Sequence, residues 1–396
     1  MKKILILLAV LSLATACIYP YQPDLEDAPE GVLVVDGNVL IGEPSTVRIG
    51  TMFSLWPDHA NGPAQIQVQR VWAEDDGGGV YEGTLSSGGI GVYYAPMTEY
   101  VLPTENAPAD REYRVCIRTA DHLYSSDWVR PLAPPVIKSI TFKNDKTTVS
   151  VLVSLEGGSD ATGYILLSYD ETWRFHAEFN PAYEYDPATN QVSERIFNNW
   201  DRYWCWKSVN PGTLFPVSYS GMSSSVLKNY PLHSFSRYDN RNHRRYSIQV
   251  KARTIDKDTF KFLSHLEEST QSGDNLFTPN PGEIAGNLRC ETDPEQMVMG
   301  FVTVARSASS RAWLDSRYLL SRPFNLYDLA YPKQWPSRQG EPYWLDFYEM
   351  GYLPLVENHL EDGDQEKGPY GWGWPSCYDC IAAGGTQDMP DFWDEL

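Results

Sequence analysis

The stretch YSIQVKAR at residues 246–253 contains the clearest structural signal in this chain of 396 residues. Its apolar side chains occupy every second position and alternate with Ser247, Gln249, Lys251 and Arg253. A period of two places the apolar set on one face of a β-strand and the polar set on the other. The stretch therefore predicts a strand that packs one face on a hydrophobic core.

The same alternation recurs through most of the chain on both sides of this stretch. It is found at residues 32–35, 47–49, 66–68, 113–117, 149–155, 164–169 and 297–304. Turn-forming segments rich in Gly and Asp, such as residues 75–79, separate the short strands. Many short strands at this spacing are typical of sandwiches, so the sequence predicts a mainly β chain of tandem antiparallel, immunoglobulin-like β-sandwich domains.

A proline-rich segment at residues 130–135 divides the strands into two groups. Because proline cannot donate to a strand ladder, we interpret this segment as a linker. The first sandwich domain is accordingly placed at residues 31–133, and a second β-rich domain at residues 134–330. Residues 331–396 form a Trp- and Pro-rich tail without periodicity, which we expect to be irregular and to pack on the second domain.

One helix is predicted in the second domain, near residues 256–272. Phe260, Leu263 and Leu266 recur at helical spacing. Asp256 is a suitable N-terminal cap, and Gly273 is a suitable residue to end the helix.

The first residues have the composition of a secretory leader. Lys2 and Lys3 precede an apolar run far shorter than the roughly 20 residues needed to span a bilayer. Residues 1–16 are therefore predicted to be a cleaved signal peptide. Small residues lead up to Cys17, which resembles the lipobox of bacterial lipoproteins, although Ala14 stands where leucine is usual. Cys17 is thus predicted to be acylated, with an ordinary secretory signal as the alternative.

Residues 17–30 are acidic and broken by prolines, a composition that cannot bury enough apolar surface to fold. We expect this segment to be a tether between the lipid and the first strand. The whole chain has 32 Lys and Arg against 52 Asp and Glu, a formal net charge of -20. Nucleic acids and anionic lipid surfaces require clustered basic residues, so neither is expected as a partner.

Several short motifs in a fixed order resemble one protein family. They are Cys17 and residues 32–37, 205–206, 245–248, 277–281, 286–288, 377–380, 384–386, 390 and 392–393. Together they resemble the lipoprotein family catalogued as domain of unknown function 4249, from the lipobox to the last residues.

The resemblance implies a location and a partner but no chemistry. It implies a lipid-anchored protein of the Gram-negative outer membrane, and the acidic residues after Cys17 resemble signals for export to the cell surface. It also implies an accessory or ligand-binding role beside a TonB-dependent receptor. The alternative is a surface adhesin that binds carbohydrate or protein without a transporter. The family offers no catalytic residue, so no enzymatic activity and no cofactor are expected.

The five cysteines beyond the leader are expected to form disulfides, because an exported chain meets oxidising conditions. Cys377 and Cys380 are the first candidate pair, with bonds from either one to another cysteine as the alternative. Cys205 and Cys290 are the second candidate pair. Cys116 is expected to keep its thiol, on the polar face of its strand. A zinc or redox site is disfavoured because no second cysteine or histidine pair has matching spacing.

Other catalytic or metal-binding patterns are incomplete. The seven histidines include no His-Glu-x-x-His motif, so surface or packing roles are expected for them. Ser225 and Lys228 have the Ser-x-x-Lys spacing of penicillin-binding enzymes but lack the companion elements. Residues 361–366 are acidic but lack the register of a calcium loop, which favours a solvated turn.

Two aromatic clusters remain. The first is Trp200, Tyr203, Trp204 and Trp206. For Trp204 and Trp206 we expect a role in packing the tail against the sandwich, with a ligand- or receptor-binding surface as the alternative. The second is Tyr370, Trp372 and Trp374, spaced by two so that an extended chain presents them on one face. These three are candidate ligand contacts, either as a stacking platform for a glycan or as a receptor-binding patch. Packing of the tail is the equally weighted alternative.

Overall fold

The computed structural model describes residues 32–51, 66–86, 91–92, 95–196, 200–220, 226–272, 286–315, 329–336, 340–358 and 367–394. The predicted leader, Cys17, the tether, Ser225, Gly273 and the acidic residues 361–366 lie outside these ranges. Among the described residues, no helix is both long and apolar enough to cross a membrane.

Strands account for 51% of the structure and helices for 8%, so the predicted mainly β fold is confirmed. The first ten strands are β1 (Leu33–Leu40), β2 (Ser45–Thr51), β3 (Val68–Asp75), β4 (Val80–Glu82), β5 (Thr84–Leu85), β6 (Gly91–Val92), β7 (Ala95–Pro96), β8 (Thr98–Leu102), β9 (Tyr113–Thr119) and β10 (Leu123–Ser126).

The later strands are β11 (Val136–Asn144), β12 (Thr148–Glu156), β13 (Tyr164–His176), β14 (Tyr183–Asp186), β15 (Gln191–Glu194), β16 (Trp204–Val209), β17 (Phe215–Ser218), β18 (Val226–Ser236), β19 (Arg245–Thr254), β20 (Leu288–Cys290), β21 (Val298–Ala305), β22 (Ser307–Asp315), β23 (Leu353–Glu357) and β24 (Tyr370–Gly373). The α-helices are α1 (Lys257–Ser272), α2 (Trp344–Glu349) and α3 (Pro375–Tyr378).

The first sandwich packs two five-stranded sheets on one core. Their strand orders are β21-β1-β2-β8-β5 and β20-β10-β9-β3-β4. Both sheets contribute to the core, for example through Val35 and Val47 of one sheet and Val115 and Ile117 of the other. All pairs in these sheets are antiparallel except β1 with β21, which run parallel from Leu33 opposite Val298 onwards.

The first sandwich therefore includes residues that the sequence places in the second domain. β20 and β21 come from residues 288–305, yet they hydrogen-bond to β10 and β1. Alternation identifies a strand but not its distant partner, which is the physical reason for the difference. Gly300 allows β21 to pair with β1, because a Cβ atom at residue 300 would lie 1.8 Å from the carbonyl oxygen of Val35.

The second sandwich packs β11-β12-β18 against β16-β13-β19-β22, with β17 also paired to β13. The predicted strand at residues 246–253 lies within β19, and Tyr246, Ile248, Val250 and Ala252 are all fully buried. Its polar face is more buried than expected. Ser247 accepts a hydrogen bond from Arg311 at 2.7 Å, and Arg253 donates to Asn38 of the first sandwich at 2.7 Å.

The predicted helix is confirmed as α1. The Asp256 side chain accepts hydrogen bonds from the backbone N–H groups of Asp258 and Thr259, both at 2.8 Å. These bonds satisfy donors that have no partner within the helix. Phe260 and Leu263 pack on the sheet beside Leu166, whereas Leu266 is exposed.

The tail is more regular than the sequence predicts. It contains the two-stranded sheet of β23 and β24 and the short helices α2 and α3. Each helix has six residues or fewer, which is too short to show helical periodicity in the sequence.

Candidate functional site

A disulfide fastens the tail to the second sandwich. It joins Cys205 of β16 to Cys380, which follows α3, and both residues are fully buried. The two preferred pairs, Cys377 with Cys380 and Cys205 with Cys290, are therefore wrong, and the alternative of a bond from Cys380 to another cysteine is confirmed. Cys290 lies in β20 of the first sandwich, away from β16, and its sulfur lies 3.4 Å from the Thr292 hydroxyl. Sequence spacing could not reveal that the tail returns to β16.

Cys116 keeps its thiol, as predicted, but it does not lie on a polar surface. Its side chain is buried in β9, where it stands opposite Trp72 of β3. Burial raises the pKa of the Cys116 thiol to about 12, and the nearby Glu74 carboxylate adds to the effect. Because the thiolate is the reactive form, we expect this cysteine to be unreactive in the folded protein.

The end of the tail is held by aromatic contacts on β16 and β22. Trp206 and Thr386 exchange two backbone hydrogen bonds, of 2.7 and 2.8 Å. Trp393 is buried and meets Trp313 edge to face, with ring centroids 4.9 Å apart. The Arg245 guanidinium lies 4.0 Å from the Trp313 ring centroid and donates to the Asp394 carbonyl oxygen. The expectation that the first aromatic cluster packs the tail therefore agrees with the position of Trp206.

The other members of the first cluster pack nearby. Trp200 lies edge to face with Tyr378 of α3, at a centroid distance of 5.8 Å. Tyr203 stacks on His176, and Trp204 meets the same histidine edge to face.

The second aromatic cluster is split between core and surface. Trp372 is fully buried, and it packs with Trp344 of α2 and Tyr185 of β14. Tyr370 is half-buried against Tyr183, with ring centroids 5.1 Å apart. Trp374 is 50% exposed. Tyr370 and Trp372 belong to one aromatic cluster and Trp374 packs on Tyr352 of that cluster, so the expectation of one shared face holds. Among the three, however, only Trp374 is exposed.

Trp374 packs on Tyr352, which follows the exposed Tyr348 and Met350 at the end of α2, and we call these four residues the Trp374 surface. The rings of Trp374 and Tyr352 stack at a tilt of 38° with centroids 4.2 Å apart. Met350 is 50% exposed and Tyr348 is also exposed. The Tyr378 hydroxyl donates to the Gly351 carbonyl oxygen at 2.7 Å, so α3 holds this segment in place.

A second exposed indole lies beyond the other end of α2. Trp335 is 60% exposed and stacks on Tyr343, with ring centroids 6.2 Å apart. Tyr343 is the residue just before α2, and the Trp374 surface begins at its last turn. The six-residue helix α2 separates the Trp335–Tyr343 stack from the Trp374–Tyr352 stack. Since a helix rises about 1.5 Å per residue, α2 is only about 9 Å long.

A buried ionic cluster inside the second sandwich is absent from the sequence-based predictions. Glu171 accepts hydrogen bonds from Arg241, at 2.5 and 3.0 Å, and from the Tyr246 hydroxyl at 3.0 Å. His233 lies at ion-pair distance, 3.5 Å from the same carboxylate, and faces the Tyr169 hydroxyl at 2.9 Å. The sequence does contain a signal for this cluster, because Glu171 occupies an inward position between apolar neighbours in β13.

The surroundings of Glu171 keep it ionised. Burial alone would raise the pKa of Glu171. The hydrogen bonds and charge interactions with His233 and Arg241 are stronger than this effect and lower the pKa to about 2. Burial raises the pKa of Tyr169 to about 12, and the Glu171 charge adds to that shift. A buried carboxylate paired in this way is held ionised near neutral pH and orders the core around it.

In the parts of the chain that the structure covers, no three His, Cys, Asp or Glu side chains are grouped so that they could hold a metal ion. His176 and His243 stack with ring centroids 4.2 Å apart. Burial, followed by the neighbouring His176, lowers the pKa of His243 to about 4. This pair is therefore neutral and packed, as the sequence predicts for isolated histidines.

Comparison with known proteins supplies a family and no activity. No curated protein matches this sequence. The model of the family described as "Domain of unknown function (DUF4249)" matches residues 18–311, about three-quarters of the chain. The matched range covers both sandwiches as far as β22, and it ends before the tail that bears the Trp374 surface. The chain therefore belongs to the DUF4249 family.

Proposed function

We propose that this protein is a non-enzymatic outer-membrane lipoprotein that serves as an accessory or ligand-binding subunit of a TonB-dependent uptake system. The observation that carries the binding role is the Trp374 surface, where aromatic and apolar side chains are presented to solvent. Seven of the sixteen exposed large hydrophobic side chains in the described residues lie between Trp335 and Phe392. Tyr348, Met350 and Trp374 are three of these seven, and contiguous exposed apolar patches mark interaction sites.

The construction of the tail supports a binding role. The segments on either side of Trp374 are held in place. Trp372 is buried on one side, and on the other side Cys380 forms a disulfide and Trp393 is buried. A surface that is ordered before binding loses less conformational entropy when a partner docks. Tyrosine and tryptophan also dominate the energetics of interfaces, because they bury a large area with few rotatable bonds.

The leader supports the membrane location. Acylation at Cys17 would anchor the protein, since each buried methylene contributes about 0.8 kcal/mol. Confinement to a membrane raises the effective concentration of the protein near a membrane partner without any new contact. The receptor itself is proposed from the family resemblance, which places such lipoproteins beside TonB-dependent receptors.

The test is co-purification of the tagged protein from detergent-solubilised outer membranes. We expect a TonB-dependent receptor at near-stoichiometric amounts with the wild-type chain. The Cys17→Ala variant should leave the membrane fraction and lose most of this receptor. Recovery of the wild-type protein from the outer membrane without any such receptor would overturn the proposal.

One observation favours a second function, a carbohydrate-binding adhesin. The exposed face of Trp374 lies above Tyr352 and resembles a stacking platform for a sugar ring. In that case Trp374→Ala should abolish retention on a glycan array. An unchanged binding profile for this variant would remove the alternative.

A further inference from the structure

Tryptophan in this protein usually has an arginine above its ring. Among the twelve tryptophans in the described residues, eight have a guanidinium within 4.0–5.9 Å of the ring centroid. The pairs are Arg70 over Trp72, Arg114 over Trp128, Arg241 over Trp173, Arg195 over Trp200, Arg174 over Trp204 and Trp206, and Arg245 over Trp313 and Trp393. A cation in this position is attracted by the negative face of the ring.

The four other tryptophans fall into two classes. Trp344 and Trp372 are buried in the aromatic core of the tail and have no face open to a cation. Trp335 and Trp374 are 60% and 50% exposed, and each stacks on a tyrosine. Within the described residues, these two are the only exposed indoles without a cation of the chain above them.

The two indoles also lie in the most acidic part of the chain. Residues 331–396 contain 13 Asp and Glu against 3 Lys and Arg, so one-sixth of the sequence carries half of the net charge of -20. Glu349, the last residue of α2, precedes Met350 directly and is exposed. It forms no ion pair with any Lys or Arg in the described part of the chain. Eight of the 13 acids lie in the described residues, and Glu349 is the one next to the Trp374 surface. Its carboxylate attracts cations and repels anionic glycans and lipids.

We infer that the Trp374 surface, together with Trp335, docks a basic protein segment whose arginine or lysine side chains lie over these indoles and pair with Glu349. The inference rests on the proposed function, because it names the chemistry of the partner that the accessory subunit would contact. A neutral sugar would use the rings but gain nothing from the acidic surroundings. The charge therefore favours a basic loop of a protein partner over a glycan.

The test uses the detergent-solubilised full-length mature protein and a fluorescent peptide of alternating glycine and arginine. A peptide with citrulline in place of arginine is the matched neutral probe. Trp374→Leu keeps apolar packing on Tyr352 but removes the aromatic face. Trp128→Leu is the matched control, because Trp128 is 37% exposed but already has Arg114 above it.

We expect the arginine peptide to bind and the citrulline peptide to bind far more weakly. Trp374→Leu should weaken binding of the arginine peptide about two- to fivefold, the effect of one exposed cation–π contact. Glu349→Gln should weaken it by a similar factor, and Trp128→Leu should leave it unchanged. Equal binding of the two peptides, equal losses in the Trp374 and Trp128 variants, or saturation of Trp374 by neutral oligosaccharides instead would overturn the inference.

Failure of this inference and failure of the proposed function give different results. If the wild-type protein and Trp374→Leu recover the same amount of receptor, the docking surface is wrong and the function stands. If the wild-type protein recovers no receptor but discriminates between the peptides, the function is wrong and the chemistry of the surface stands.

Discussion

Cys205 and Cys380 lie 175 residues apart in the chain, and a disulfide joins them with their Cα atoms 5.6 Å apart. This bond connects the middle of the second sandwich to the tail directly after α3. It therefore holds the segment that follows Trp374 and α3 on the second sandwich.

The disulfide should be a large contributor to stability. Loop-closure entropy for a loop of this length gives about 5 kcal/mol as an upper value. The double variant Cys205→Ser/Cys380→Ser should therefore lower the free energy of unfolding by several kcal/mol, measured with urea. Cys377→Ser should cost much less because it leaves the bond intact. Peptide mapping without reductant should recover Cys205 linked to Cys380, and a Cys377–Cys380 link would contradict the structure.

Acid should weaken the second sandwich through Glu171. Its pKa in the folded protein is about 2, below its ordinary value of 4.5, so the unfolded chain binds the proton more tightly. The stabilisation is complete above pH 4.5 and is lost as the pH falls towards 2. Its size by linkage is about 3 kcal/mol.

The variant Glu171→Gln should flatten the stability profile between pH 4.5 and 2 in urea titrations. It should also destabilise the protein at pH 7 by roughly 3 kcal/mol, because Arg241 would lose one of its two carboxylate partners, the other being Asp239. The control is Glu82→Gln, a surface residue paired with Arg70. If both variants keep the wild-type slope, the Glu171 cluster is not the source of the acid sensitivity.

Two tryptophans separated by one residue should respond differently to truncation. Trp372 is fully buried, so Trp372→Ala should cost about 3–5 kcal/mol in unfolding free energy. Trp374 is half exposed, so Trp374→Ala should cost about 1 kcal/mol or less. Thermal denaturation of both variants checks the assignment, and similar losses would mean that Trp374 also belongs to the core.

Cys116 should be protected from alkylation. With the pKa of its thiol raised to about 12 by burial, it contains almost no thiolate at pH 8. Iodoacetamide should therefore modify Cys116 only after denaturation, as measured by mass spectrometry of tryptic peptides. Rapid modification of the native protein would show that β9 is more accessible than the fold implies.

Local sequence patterns predicted the strands and the helix of this fold, but they could not predict which distant strands pair with each other. The alternation at residues 246–253 identified β19, and Asp256 identified the start of α1, because both signals depend on near neighbours. The assignment of β21 to the first sandwich depends on a partner more than 250 residues away. No pattern within a single strand specifies such a partner.

The candidate site shows the same division. The sequence placed Trp372 and Trp374 together, but whether each is buried depends on where β24 ends and on what α2 covers. Glu171 stood in the sequence as an acid within an apolar stripe, while its partners Arg241 and His233 come from other elements. The preferred cysteine pairs were wrong for the same reason, since Cys205 meets Cys380 only after the tail folds back.

The most direct test of the central claim is the amount of TonB-dependent receptor recovered per molecule of tagged protein from solubilised outer membranes. The account predicts near-stoichiometric recovery with the wild-type chain, a reduction of about two- to fivefold with Trp374→Leu, and no change with Trp128→Leu. A wild-type protein that is purified from the outer membrane with no such receptor would contradict it.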